Sequence, residues 1–171
     1  NLAAYSDVMV AVESIENADA LNAAALAKGV RLRVIIEVDI GMGRCGTLPG
    51  EETLTLARHI QRLPGLRFCG LMGYEGHLVF VADWAERKEK ALADVARLIG
   101  TADLLRKHGI PVDIVSSGGT GTHDITGRVP GVTELQVGSY ATMDAQYREN
   151  VGVTFDYGLT VLCTVISTRG S

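Results

Sequence analysis

Residues 115–122, Val-Ser-Ser-Gly-Gly-Thr-Gly-Thr, concentrate the hydrogen-bond donors of this chain. Three glycines and four hydroxyls follow residues 112–115, an apolar run that reads as a buried strand. Glycines let backbone N–H groups crowd onto one point, and hydroxyls add further donors. Such a concave set at the carboxyl end of a strand suits a phosphate; taken alone, it also suits a flexible turn. Other strand ends supply Asp39 and Arg44, Tyr74 and His77, and the run from Gln136 to Tyr140. Each has an ordinary explanation by itself. Arg44 can pair with Asp39, Asp39 can cap a loop, His77 can be a hydrogen-bonded loop histidine, and Tyr74 and Tyr140 can be wall residues. Their joint arrival at one face would make a site. His59 and His108 fall in helices and read as solvated, while His123 could touch a substrate or phosphate edge.

The elements that position these groups alternate. Residues 7–13, 32–38, 66–72, 112–115 and 132–135 read as strands, and residues 159–167 as a last one. Between them lie helices. Ser14 caps the first, whose apolar face runs through Ile15, Ala18, Leu21, Ala25 and Leu26 until Gly29 closes it. Glu51 and Glu52 open the second, ended by Pro64-Gly65. Asp83 with Glu86 resembles a capping box for the third, with Leu92, Val95, Ile99, Ala102 and Leu105 or Arg106 facing the core. Strand–helix alternation argues for parallel βαβ units. A full barrel of eight takes about 250 residues, more than this chain supplies. A doubly wound sheet is possible. However, every polar loop follows a strand, where a barrel keeps its chemistry. The expected fold is an α/β parallel (β/α)8 barrel present incompletely, with residues 1–171 as one partial barrel domain.

Composition narrows the partners. The net charge is −4, and the basic residues form no cluster, which argues against nucleic acid and membrane surfaces. Three cysteines without metal-type spacing suggest free thiols and a cytoplasmic location. The chain opens on Asn1 rather than Met, which suggests a piece of something longer.

Four motifs in register carry a resemblance over nearly the whole chain. They are Glu-Val-Asp-Ile-Gly-Met-Gly-Arg-Cys-Gly at 37–46, Gly-Leu-Met-Gly-Tyr-Glu-Gly-His at 70–77, Ser-Gly-Gly-Thr-Gly-Thr at 117–122 and Thr-Glu-Leu-Gln-Val-Gly-Ser-Tyr at 133–140. Together they resemble the D-threonine aldolase and D-serine dehydratase family of alanine-racemase-like pyridoxal phosphate enzymes. The resemblance implies a barrel holding pyridoxal 5′-phosphate at its mouth, followed by a β-rich domain, usually in a homodimer. It places Ser117, Gly118, Gly119, Thr120, Gly138, Ser139 and Tyr140 around the cofactor phosphate. It sets Arg44 near the phenolic oxygen, Tyr74 against the ring face, and Gln136 where related racemases have an arginine near the pyridine nitrogen. Tyr74 and His77 are the catalytic candidates.

Two parts of the family pattern are absent. The four lysines, Lys28, Lys88, Lys90 and Lys107, all fall on helices, whereas the family's Schiff-base lysine lies on the barrel's first strand. A divalent metal, manganese or zinc, is implied for the parent enzyme, with ligands in the downstream domain and none in this chain. The expected function is therefore that of a barrel fragment, inactive alone. Its parent would perform retro-aldol cleavage of a D-3-hydroxyamino acid to glycine and an aldehyde, as a D-threonine aldolase does, or dehydration, as a D-serine dehydratase does. Amino-acid racemization is the alternative, and a non-catalytic pyridoxal phosphate carrier is an alternative of another class. A barrel lacking its opening units also exposes strand edges, which predicts self-association.

Overall fold

The computed structural model describes residues 2–168. Its sheet has five parallel strands, β1 (Met9–Val12), β2 (Leu32–Glu37), β3 (Leu66–Met72), β4 (Ile114–Ser117) and β5 (Glu134–Leu135). They lie side by side in chain order. The order never reverses, so right-handed crossovers carry every connecting helix to the same face. A doubly wound sheet would reverse its order midway. The architecture is thus an incomplete barrel, with α1 (Ile15–Ala27), α2 (Glu51–Ile60) and α3 (Trp84–Lys107) outside it and a short α4 (His123–Thr126) after β4.

Local chemistry explains the element boundaries. The Ser14 hydroxyl accepts the Asn17 N–H at 3.1 Å to start α1, and Asp83 accepts the Glu86 N–H at 2.7 Å to start α3. Along β2, Val34, Ile36 and the following Val38 enter the main core. There they meet Leu54, Ala57 and Ile60 of α2 and Leu98, Ala102 and Leu105 of α3. Burying each large aliphatic contributes about 1.5–3 kcal/mol. The intervening Arg33 and Glu37 point to the opposite face by the two-residue period of a strand, which leaves that face free for polar groups. A second cluster, Val79, Met143, Tyr147, Val151 and Val153, packs with Tyr74.

Several expectations need correction. β4 begins two residues later than the apolar run suggested, because pairing with β3 sets it. Gly70 faces Ile114, and any Cβ there would overlap the Ile114 carbonyl. On α3 the buried row is Ala91, Val95, Leu98, Ala102 and Leu105, while Leu92 is 40% exposed. Ile15 and Leu26 of α1 also face outward. Residues 159–167 form no strand: their apolar side chains lie exposed, and none of them pairs in a sheet. A strand pattern becomes a strand only where its N–H and C=O groups find an edge to bond, and this run reaches neither β1 nor β5. No helix is long and apolar enough to cross a membrane among the described residues.

Candidate functional site

The loop after β2 is fixed by Asp39, whose Oδ1 accepts the N–H groups of Gly41 and Gly43, both at 3.0 Å. Those two donors, Gly43 first, hold the Asp39 carboxyl below its ordinary value. Asp39 therefore caps the loop and does not pair with Arg44. Arg44 instead sets Nη2 3.5 Å from Glu37 Oε1, at the end of β2. Glu37 also accepts the Cys45 thiol at 3.0 Å and pushes that thiol up, keeping it protonated. The Arg44 guanidinium lies 5.7 Å from the centre of the Tyr74 ring. Burial raises the Tyr74 phenol, so it stays neutral.

Tyr74 in turn reaches the glycine-rich loop. A Cβ on Gly119 would lie 3.0 Å from Tyr74 Cε2, closer than a side chain tolerates without displacing the ring. Beyond Gly119, Thr120 Oγ1 accepts the Tyr140 N–H at 3.0 Å, joining this loop to the segment after β5. Gln136 lies beside both, its Nε2 donating to the Ser116 carbonyl at 3.0 Å. A continuous path thus runs from Arg44 through Tyr74, Gly119 and Thr120 to Tyr140, across loops that follow four of the five strands.

Not every expected residue joins that path. His77 turns to α3, where its Nε2 lies 3.1 Å from Asp94 Oδ2. This is the hydrogen-bonded loop histidine. Burial raises the Asp94 carboxyl, while His77 and Arg97 oppose that. His123 donates through Nδ1 to the Thr120 carbonyl at 2.9 Å and packs its ring on Phe155. His59 is held by Asp19 at 2.6 Å, and His108 donates to the Leu104 carbonyl at 2.9 Å, so neither is merely solvated. The Ser117 hydroxyl and Gly118 N–H, expected at a ligand, point inward to Glu75, a residue the spacing did not single out.

The donors left over fit a phosphate. Among the described residues, no partner takes the N–H of Thr120, Gly138 or Ser139, or the Ser139 hydroxyl. Nothing lies within 4 Å of where a Gly138 Cβ would stand, so a ligand has room there. A dianion wants such fixed donors. No lysine accompanies them: Lys28 caps α1 at its end, and Lys88, Lys90 and Lys107 lie on α3. Among the described residues, no group of three or more His, Cys, Asp or Glu could hold a metal ion.

Comparison with known proteins shows the family. Residues 1–146 match the family model described as alanine racemase, N-terminal domain. The chain is 36% identical over 170 residues to a D-threonine aldolase from an Arthrobacter species, covering 97% of this chain and 45% of that protein. It is 34% identical to the D-threo-3-hydroxyaspartate dehydratase of Delftia sp. (strain HT23), covering 94% of this chain and 43% of that protein. The crystal structure of D-threonine aldolase from Filomicrobium marinum superimposes with a TM-score of 0.87 at 34% identity, over 91% of this chain and 43% of that one. The chain thus spans under half the length of these relatives.

Proposed function

The chain belongs to the alanine racemase N-terminal-domain family, and from that premise we propose that it is one wall of a pyridoxal 5′-phosphate-dependent lyase acting on D-3-hydroxyamino acids. The observation that carries this is the path from Arg44 through Tyr74, Gly119 and Thr120 to Tyr140, with unspent donors at its far end. Thr120, Gly138 and Ser139 hold the phosphate with N–H and hydroxyl donors, and Tyr140, whose N–H bonds Thr120 Oγ1, ties the two loops together beside it. Tyr74, pressed between Arg44 and Gly119, presents a neutral ring to the cofactor. Arg44, steadied by Glu37, offers its remaining N–H groups to the phenolic oxygen. Gln136 places a neutral amide, not a charge, at the pyridine end.

When bound, the cofactor supplies an electron sink. The chain's residues position it, exclude water on the Tyr74 side and hold its anionic groups. The amine that anchors the cofactor and the metal ligands belong to other parts of the parent protein. Retro-aldol cleavage is favoured over dehydration because the two D-threonine aldolases match somewhat better than the D-threo-3-hydroxyaspartate dehydratase, at 36% against 34% identity in sequence and with TM-scores of 0.87 against 0.78 in structure.

Two measurements test the reading. This chain, mixed with pyridoxal 5′-phosphate, should perturb the cofactor's absorbance reversibly and leave no adduct after borohydride. A reduced adduct on Lys28, Lys88, Lys90 or Lys107 would contradict the assignment. A protein joining this chain to the family's lysine strand and downstream domain should release glycine and an aldehyde from D-threonine when given a divalent metal. Interconversion of alanine enantiomers alone would make it a racemase.

A further inference from the structure

Glu75 is completely enclosed, and no basic side chain among the described residues forms an ion pair with it. A carboxylate so placed is costly unless donors satisfy its oxygens. Four do. Oε2 accepts the Ser117 hydroxyl at 3.0 Å and the Gly118 N–H at 3.1 Å. Oε1 accepts the hydroxyls of Thr122 at 2.8 Å and Thr126 at 2.6 Å. All four come from one stretch, the glycine-rich loop and the α4 turn behind it. The network extends one bond further, since Thr122 Oγ1 accepts the Gly119 N–H at 3.0 Å.

The arrangement sorts the donors of this loop and of the segment after β5, joined by the Thr120–Tyr140 bond, into two sets. Those of Ser117, Gly118, Gly119, Thr122 and Thr126 end, directly or through Thr122, on Glu75. The N–H of Thr120 and the donors of Gly138 and Ser139 do not. Thr120 Oγ1 accepts from Tyr140, so its own proton is also free. The Gly118 N–H can only donate, and a carboxylate offers it and the hydroxyls an oxygen on both sides, where a glutamine offers an oxygen on one.

We propose that Glu75 is the positioning residue of the cofactor-phosphate cup. It draws in the inner donors of residues 117–126 and thereby fixes the outer set for the ligand's phosphate. This rests on the cofactor reading above and deepens it. Glu75 touches neither substrate nor cofactor; it acts through the loop. Donors fixed before the ligand arrives bind it at lower reorganisation cost.

The test compares pyridoxal 5′-phosphate with pyridoxal, which lacks the phosphate, as probes of the chain by absorbance titration. The unaltered chain should prefer the phosphorylated form. In Glu75→Gln that preference should shrink by about tenfold or more, the scale of one lost charge-assisted hydrogen bond, while pyridoxal binding stays as it was. Thr126→Val removes one donor and keeps the carboxylate, so it carries the same test should Glu75→Gln not fold. Variants that keep the full preference, or lose both probes equally, would overturn the role of Glu75 alone. An unaltered chain without any preference would sink the cofactor reading and, with it, this proposal.

Discussion

At the scale of single residues, two contacts set measurable consequences. Gly119 abuts the Tyr74 ring and, at 3.3 Å from a built Cβ, the Val79 methyl. Gly119→Val must move the ring proposed to face the cofactor, in an enclosed loop. It should weaken cofactor binding and lower stability by about 1–3 kcal/mol, read from a binding isotherm and a urea midpoint on the same sample. Unchanged affinity would remove Gly119 from the site. Asp39 gives a pH prediction. Its carboxyl is lowered from 3.8 by the Gly43 and Gly41 N–H groups. A depressed acid stabilises the fold above its unfolded value and loses that contribution as pH falls through its folded one. Asp39→Asn should therefore cost roughly 0.5–1 kcal/mol at neutral pH, the modest figure suited to a partly exposed group, and almost nothing in strong acid. Urea midpoints at the two pH values check this. Asp94 runs the other way. Burial raises it, so its contribution is present below its ordinary range and lost as pH rises through the folded value. Arg44, Tyr74 and Thr120 were legible in the sequence because residue type and strand-end position coincide. Glu75 was not. A carboxylate in a polar loop reads as solvated, and what encloses it lies 42 to 51 residues downstream.

At the scale of elements, caps and pairing divide the labour. Asp83 was readable as the start of α3, and its carboxylate does accept the Glu86 N–H. Asp83→Ala should cost about 1 kcal/mol, seen in chemical unfolding with no change in far-ultraviolet signal at rest; an unshifted midpoint would show the cap to be idle. β3 was legible to the residue, since its apolar run and its ladder coincide. β4 was displaced because side-chain hydrophobicity does not report backbone pairing. The ladder continues past Val115 into Ser116 and Ser117, whose hydroxyls bond Glu134 and Glu75. Leu92 shows the same limit on a helix. A row through Leu92, Val95 and Ile99 and one through Ala91, Val95 and Leu98 fit helical spacing alike. Packing against the sheet at Leu98, and against Leu78 and Ile125 at Ala91, selects the second over the first.

At the scale of the whole molecule, the sheet is open, and β1 and β5 are its edges. Open parallel edges present unpaired N–H and C=O groups, a template for another chain. Beside β1 lies an apolar groove of 510 Å³ lined by Leu2, Tyr5, Val8, Val10, Leu21 and Val30. Towards the end of the chain, residues 159–166 keep a strand-like apolar pattern that pairs with neither edge, with Val161 80% and Ile166 94% exposed. Unpaired edges and an unpaired strand-forming run in one molecule complement each other between two copies. We propose that this chain self-associates by that pairing. Light scattering after size exclusion should give a mass above one chain that falls on dilution. Val161→Lys with Val165→Lys should shift the population toward monomer, because charge on the run opposes its burial against an edge. A single monomer mass at every concentration for the unaltered chain would reject self-association. A double variant that associates as before would clear residues 159–166 and leave the groove beside β1 as the contact.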